Sequence, residues 1–187
     1  ALGVSINGSP YQRGKNAERV TAVIEATEKH KVPIVYVNQV GGQDELIFDG
    51  SSFVADANGK VIARLPQFEE AVEVVDVEVP SSGSGALPVI ATSLERQNRK
   101  PLMMPPIAET NNVVGDVWKA LVLATRDYVN KNGFSEAGVG LSGGVESSLE
   151  AAIAVDALGP HRVHCVSMHY RYCCTGASAD AAELPHH

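Results

Sequence analysis

A short apolar run over residues 137–141 leads directly into Ser142-Gly143-Gly144-Val145-Glu146-Ser147-Ser148. This pattern predicts a buried strand, a tight turn and then a helix that continues to Leu158 and ends at Gly159-Pro160. A further β-rich run, residues 162–168, predicts a second strand. Strand, turn, helix and strand in this order predict a βαβ unit with parallel strands and a right-handed crossover.

The predicted turn has chemistry suited to an anion. Gly143 and Gly144 permit positive φ and close approach of a ligand to the backbone. The helix that follows begins with unpaired amides carrying partial positive charge, and Ser142, Ser147 and Ser148 add hydroxyl donors. These features predict a pyrophosphate site, although a tight turn with a serine N-cap explains them too. The turn is neither a Walker A loop, since it has no lysine, nor a dinucleotide-binding G-x-G-x-x-G.

Two further helices are predicted by apolar residues at three- and four-residue spacing, over 15–31 and 113–131. In the second helix the residues expected to form one apolar stripe are Val114, Val117, Trp118, Leu121, Val122, Thr125, Tyr128 and Val129.

The remaining patterns predict strands, turns and a domain boundary. Residues 34–37 predict a strand, and the runs 52–55 and 60–64 around Asn58-Gly59 predict a hairpin. We expect residues 38–50 to form a polar loop and residues 71–79, which alternate valines with acids, to form a strand. A Gly-Ser stretch followed by prolines over 80–112 predicts a linker between two domains, 1–79 and 113–187.

Composition and charge narrow the possible partners. The 187 residues carry a net charge of −7, from 15 basic and 22 acidic side chains, and no region forms the basic stripe typical of nucleic-acid binding. No apolar run approaches the roughly 20 residues needed to span a bilayer. Residues 1–4 carry neither a Met nor signal-peptide features, so we expect a cut or processed end. Three cysteines, two of them adjacent, favour a reducing cytosol over a disulfide framework.

Histidines and cysteines are concentrated after residue 160. They are His161, His164, Cys165, His169, Cys173, Cys174, His186 and His187. Their spacing contains no C-x-x-C pair, and His164 and Cys165 point to opposite faces of the predicted strand. The spacing therefore does not favour a zinc site, and the alternative is a core Cys165 with histidines on the surface.

The 142–148 stretch resembles the S-G-G-x-D-S loop of the PP-loop, or N-type, ATP pyrophosphatases. Residues 113–182, with AAIAVDALG followed by RVHCVSM, are similar to the start of the synthetase domain of NAD synthetases. The resemblance implies an α/β fold of the adenine nucleotide α-hydrolase-like type, ATP and Mg²⁺ as cofactors, and activation of a carboxylate as an adenylate. The residues implied in ATP binding are Leu141, Ser142, Gly143, Gly144, Val145, Glu146, Ser147, Ser148, Val166 and Met168.

The sequence departs from that family in two places. Glu146 stands where the family has Asp, and residues 168–174 read Met-His-Tyr-Arg-Tyr-Cys-Cys where the family usually has M-P-S-x-x-S-S. One extra methylene moves the carboxylate by roughly 1.5 Å, a displacement that can be costly for catalytic geometry. A catalytically incompetent remnant with a structural or assembly role is therefore the alternative to an active ligase.

The first half of the chain is similar to the C-terminal third of a nitrilase-type glutaminase domain. The resemblance lies in INGSPYQRGK, YVNQVGGQDELIFDGSSFVAD and GKVIARLPQFEE. It implies part of a nitrilase-like α-β-β-α sandwich, with Ser9 and Lys15 at the glutamine substrate and residues 41–45 near its site. Lys15 could equally be a solvated lysine at a helix start, and Asp44 and Glu45 could be an exposed acidic turn.

Together the two resemblances point to glutamine-dependent NAD synthetases. They imply an amidoligase that converts deamido-NAD to NAD with glutamine-derived ammonia through an adenylated intermediate, in the cytoplasm and as a homo-oligomer. In nitrilase-type amidases the catalytic Glu, Lys and Cys precede the matched segment. We therefore expect no catalytic glutaminase residue in these 187 positions and no glutamine hydrolysis by this polypeptide alone.

Overall fold

The computed structural model describes residues 1–80, 105 and 107–167. The predicted mixed α/β class is confirmed, and the chain divides into two compact units. The first unit comprises residues 1–39 and 50–110, and the second comprises residues 40–49 and 111–187. Most of the predicted linker, together with Met168 and residues 169–187, lies outside the described residues.

The described residues of the first unit form a four-stranded sheet and one helix. The strands are β1 (Gly3–Asn7), β2 (Ile34–Asn38), β5 (Phe53–Ala55) and β6 (Val61–Arg64), and the helix is α1 (Lys15–His30). The sheet order is β1-β2-β5-β6, with β1 and β2 parallel and the other pairs antiparallel. The predicted helix, the strand over 34–37 and the hairpin around Asn58-Gly59 are confirmed.

The core of the first unit lies between the sheet and helix α1. Tyr36 stacks on Phe53 with ring centroids 5.2 Å apart, and Phe53 is only 1% exposed. Val20 and Val23 of α1 pack against this pair. The apolar face that the amphipathic pattern predicted for α1 is therefore the face that packs against the sheet.

The strand expected over residues 71–79 is wrong. These residues have no regular secondary structure, and Val72 and Val74 are 94% and 65% exposed. An alternating apolar pattern creates a strand only when a neighbouring strand satisfies its backbone groups and one face is covered. In the part of the chain that the structure describes, no strand pairs with residues 71–79, and most of their side chains are exposed.

The second unit contains the predicted strand–helix–strand sequence. Its elements are α2 (Val113–Lys131), β7 (Ala137–Leu141), α3 (Val145–Leu158), a short 3-10 helix (Pro160–Arg162) and β8 (Val163–Ser167). Strands β7 and β8 pair in parallel, with Ala137 opposite Val163 and Leu141 opposite Ser167. The predicted helices and strands of this half, and the parallel pairing, are confirmed.

Helix α2 exposes much of the stripe that its sequence predicted to be buried. Val114 is 79% exposed and Tyr128 is 55% exposed, whereas Ala120 and Leu123 are 3% and 2% exposed. The predicted stripe is therefore only partly the packed face. Helical periodicity identified the helix, but Ala120 and Leu123, which adjoin the predicted stripe, are buried together with Val129 of the stripe.

The polar loop expected over residues 38–50 is also wrong, because this segment forms a hairpin. Strands β3 (Val40–Gln43) and β4 (Leu46–Asp49) are antiparallel and belong with α2 in the second unit. Strand β3 lies close to the helix at Gly42. A Cβ on Gly42 would lie 3.1 Å from Ala124 Cα and 3.3 Å from Asp127 Cβ, so a side chain at this position would force the strand and the helix apart by a few tenths of an ångström.

Candidate functional site

The predicted phosphate turn is a sharp connection between β7 and α3. Leu141 ends the strand and is 4% exposed, which anchors the turn in the core of the second unit. Gly143 has φ 80°, in the left-handed region that favours glycine. Gly144 is the N-cap residue with φ −87° and ψ 160°, and helix α3 begins at Val145. The geometry presents a helix N-terminus immediately after a parallel strand.

Serine hydroxyls brace the turn from the inside. The Ser147 hydroxyl accepts from the Ser142 amide at 3.2 Å and donates to the Gly144 carbonyl at 3.1 Å. It also lies 3.1 Å from the Ser142 hydroxyl. Ser148 donates to the same Gly144 carbonyl at 3.0 Å. In this structure the hydroxyls of Ser147 and Ser148 therefore bond to the loop itself rather than project away from it.

The outer side of the turn is open. Ser142, Gly144, Val145 and Glu146 are exposed, and Val145 is 85% exposed. The amides of the first helical turn have no intrahelical acceptor and carry the positive end of the helix dipole. An exposed row of such amides can bind a phosphate oxygen without rearrangement of the backbone.

Glu146 is the acidic residue of this first turn. A carboxylate is favourable beside a helix N-terminus, and its oxygens are ligands of the type that Mg²⁺ prefers. The described residues contain no group of three or more His, Cys, Asp or Glu side chains able to hold a metal ion.

The residues expected near adenine are only partly described. Val166 lies on β8 opposite Gly140 and is 53% exposed, whereas Met168 lies outside the described residues. The alternative that placed Cys165 in the core is wrong, because this thiol is exposed. His164 is exposed and lies 3.2 Å from the Glu136 carboxylate. Cys173 and Cys174 lie outside the described residues.

In the first unit, Ser9 is fixed by a polar network that the sequence did not reveal. Its amide donates to Asn38 Oδ1 at 2.8 Å, and its carbonyl accepts from Asn38 Nδ2 at 3.2 Å. Arg19, 8% exposed, donates to the Ser9 hydroxyl at 3.2 Å and to the Pro10 carbonyl at 2.8 Å. A basic residue on the apolar side of a predicted amphipathic helix was the only sequence signal for Arg19.

The other residues expected near glutamine are less constrained. Lys15 is the first residue of α1, partly exposed, and follows Gly14 with φ 84°. Asp44 and Glu45 form the exposed tip of the β3–β4 hairpin, where Asp44 has φ 51°. The structure thus favours the exposed acidic turn for these two residues.

Comparison with known proteins finds two families in succession along the chain. Residues 6–87 match the carbon-nitrogen hydrolase family, and residues 117–184 match the NAD synthase family. No helix among the described ranges is long and apolar enough to cross a membrane.

Individual relatives match almost the whole chain. The glutamine-dependent NAD(+) synthetase of Rhodobacter capsulatus is 41% identical over 181 residues, which is 95% of this chain and 29% of that protein. The enzyme of the same name from Synechocystis sp. is 40% identical over 183 residues, covering 98% of this chain and 30% of its own length.

A solved structure adds the fold. The glutamine-dependent NAD+ synthetase from Acinetobacter baumannii, solved in complex with ADP, is 35% identical with a TM-score of 0.72. The match covers 97% of this chain and 31% of that one. The present chain thus spans about 30% of the length of the curated relatives that it matches.

Proposed function

We propose that this chain supplies the ATP phosphate turn of an amidoligase. The chain is related along nearly its whole length to glutamine-dependent NAD(+) synthetases. It also joins a carbon-nitrogen hydrolase segment to an NAD synthase segment. In this reaction ATP adenylates the nicotinate carboxylate of deamido-NAD and pyrophosphate leaves. Ammonia derived from glutamine then attacks the adenylate, giving NAD and AMP.

One observation carries the proposal: the β7–α3 turn leaves the first-turn amides of a helix on an exposed surface directly after a parallel strand. The shape of the turn is also fixed by its own hydrogen bonds. A preformed row of donors loses little freedom on binding and is suited to charge that develops on a leaving pyrophosphate.

We assign roles within the turn from these contacts. The amides at Val145 and Glu146, with the exposed Ser142 hydroxyl, would face the phosphates, and Gly143 and Gly144 would let them approach the backbone. Leu141, Ser147 and Ser148 would hold the turn in shape. Glu146 would bind a Mg²⁺ ion that screens the phosphate charge, and Val166 and Met168 would lie near adenine.

In the carbon-nitrogen hydrolase segment we assign part of a glutamine pocket to Ser9 and Lys15. The Ser9 loop is fixed by Arg19 and Asn38, which gives a defined position for a substrate contact. Lys15 would act as a point-charge partner for a carboxylate. We further propose a nitrilase-like sandwich for this half of the chain and a PP-loop unit for the other half. The proposed compartment is the cytoplasm, and the proposed assembly is a homo-oligomer.

ATP binding to the chain tests the phosphate turn. We expect labelled ATP with Mg²⁺ to bind the wild-type chain at millimolar concentration, and Gly143→Ala to weaken that binding at least tenfold, because alanine disfavours a φ of 80°. The matched control is Gly133→Ala, at a glycine with φ 75° beyond the end of α2 and nothing within 4 Å of its missing Cβ. An absence of ATP binding to a folded sample, or equal losses in the two variants, would remove the assignment.

The second candidate is a non-catalytic role in packing or assembly. Glu146 in place of the family's Asp is the observation that favours it. Glu146→Asp in this chain distinguishes the two. A marked gain of affinity for MgATP in the variant would support a degenerate site, whereas equal affinities would show that the longer side chain serves binding equally well.

A further inference from the structure

We propose that Arg19 of helix α1 is a positioning residue that sets what Ser9 recognises. Its guanidinium holds the oxygen of the Ser9 hydroxyl and thereby turns the hydroxyl proton toward a ligand. Ser9 then binds the α-carboxylate of glutamine rather than its ammonium group. This role rests on the proposed glutamine pocket, and all the residues involved belong to the first compact unit.

One side chain holds three acceptors of the Ser9 loop. Arg19 Nε donates to Ser9 Oγ at 3.2 Å, and Arg19 Nη2 donates to the carbonyls of Ser9 at 3.1 Å and of Pro10 at 2.8 Å. Arg19 is only 8% exposed. A planar guanidinium carries its N–H donors in a fixed fork, whereas a lysine ammonium is a point charge on a flexible stem. The set of three bonds is therefore specific to arginine.

Asn38 occupies the backbone groups of Ser9. The Ser9 amide donates to Asn38 Oδ1 at 2.8 Å, and Asn38 Nδ2 donates to the Ser9 carbonyl at 3.2 Å. Asn38 is itself fixed, because it is 5% exposed and its backbone amide donates to the Ser52 hydroxyl at 3.0 Å. Both backbone polar groups of Ser9 are thus engaged, and its hydroxyl is the group left for a ligand.

The bond from Arg19 determines how the Ser9 hydroxyl can act. A serine hydroxyl has one proton and two acceptor lone pairs. Because the arginine Nε–H donates to Ser9 Oγ, the hydroxyl proton points away from the guanidinium. Among the residues that the structure describes, the Ser9 hydroxyl donates to no acceptor, and Ser9 is only partly buried. Its proton is therefore available to a ligand that reaches the loop.

Charge decides between the two α-substituents of glutamine. Arginine side chains stay protonated in proteins, so a positive charge lies 3.2 Å from Ser9 Oγ. A carboxylate that accepts the Ser9 proton is attracted by this charge, whereas an ammonium that donates to Oγ is repelled by it. The alternative role for Arg19 is to support the loop conformation only. That role predicts no preference between carboxylate and ammonium.

Two glutamine analogues, each lacking one α-substituent, test the assignment. Glutaric acid monoamide lacks the ammonium, and γ-aminobutyramide lacks the carboxylate. Each is titrated into the 187-residue chain, and binding is followed by NMR at the amides of residues 7–11. We expect Ser9→Ala to weaken the binding of glutamine and of glutaric acid monoamide roughly tenfold, as for loss of a hydrogen bond to a charged group. Binding of γ-aminobutyramide should not change.

Variants of Arg19 separate positioning from support. Arg19→Met should reproduce the selectivity of Ser9→Ala, and Arg19→Lys, which keeps the charge without the fork, should recover part of the affinity. Lys29→Met removes an exposed positive charge from the same helix and should leave every affinity at the wild-type value. Without ligand, the Arg19 Nε–H should exchange roughly tenfold faster in Ser9→Ala. This signal decides the contact even where Arg19→Met fails to fold.

The outcomes distinguish Arg19 from the pocket that it serves. Failure of both glutamine and glutaric acid monoamide to bind a folded wild-type chain would remove the pocket, and the carboxylate assignment with it. If glutamine does bind, three results each overturn the role of Arg19 while the pocket stands. They are equal losses for the two analogues in Ser9→Ala, full affinity in Arg19→Met, and an Arg19 Nε–H that exchanges no faster in Ser9→Ala.

Discussion

The hydrogen bonds of the Ser147 hydroxyl inside the phosphate turn predict that Ser147→Ala lowers the free energy of unfolding. Ser147 is 8% exposed, and its hydroxyl makes one bond to the Ser142 amide and one to the Gly144 carbonyl. Net contributions of neutral hydrogen bonds are about 0.5–1.5 kcal/mol each. Because Ser142 and Gly144 are both exposed, water can replace the lost partner. We therefore expect a loss of about 1–2 kcal/mol in the free energy of unfolding.

Ser148→Ala is the matched control, since it lies in the same helical turn. Its hydroxyl makes a single bond, to a Gly144 carbonyl that also accepts the Ser148 amide at 3.2 Å. The gain in helix propensity from serine to alanine is the same in both variants and cancels in the comparison. We expect Ser148→Ala to change stability by about 0.5 kcal/mol or less.

The assay is chemical denaturation followed by tryptophan fluorescence. Trp118 is the single tryptophan, and its indole donates to Asp156 Oδ2 at 2.9 Å, which joins α2 to α3. Its signal therefore reports the second unit, which matters because a chain with two compact units need not unfold in one step. If Ser147→Ala lowers the free energy of unfolding no more than Ser148→Ala does, the Ser147 hydroxyl does not stabilise the turn in the way argued.

Two more predictions concern packing and capping. Phe53→Ala should destabilise the first unit by about 3–5 kcal/mol, because a buried phenylalanine leaves a cavity, whereas Phe134→Ala, at a side chain 53% exposed, should change the circular-dichroism melt little. Asn112→Ala should cost about 1 kcal/mol in the Trp118 transition, since Asn112 Oδ1 accepts from the Gly115 amide at 2.8 Å. Asn112→Asp retains the acceptor and should behave like wild type, and an alanine variant as stable as the aspartate variant would contradict the cap.

Local chemistry made the β7–α3–β8 segment predictable. An apolar run, two glycines and a helical pattern each specify their own conformation, and all three agree. The same holds for the hairpin around Gly59, whose φ of 85° lies in the left-handed region that glycine adopts without strain. In these segments tertiary contacts reinforce what the sequence already favours.

The β3–β4 hairpin was unpredictable for the opposite reason. Gly41 and Gly42 reduce strand propensity, so the segment has the composition of a loop. Its strands pack against α2, where a Cβ on Gly42 would lie 3.1 Å from Ala124 Cα. Sequence distance hides that contact, because Gly42 and Asp127 are 85 positions apart. The buried Arg19 was missed for a similar reason, since its acceptors lie in the Ser9 loop.

The direction of the hydroxyls in the phosphate turn bears on how such a turn would bind. The hydroxyls of Ser147 and Ser148 both donate to the Gly144 carbonyl, so neither has a second proton to donate to a phosphate. A phosphate that recruited either hydroxyl would break a bond inside the turn, and the net gain would be small. The exposed amides at the start of α3 require no such exchange, because they lack an intrahelical acceptor. Binding by this turn should therefore depend on the backbone geometry that Gly143 permits more than on any serine, which is why glycine rather than serine is the residue to substitute first.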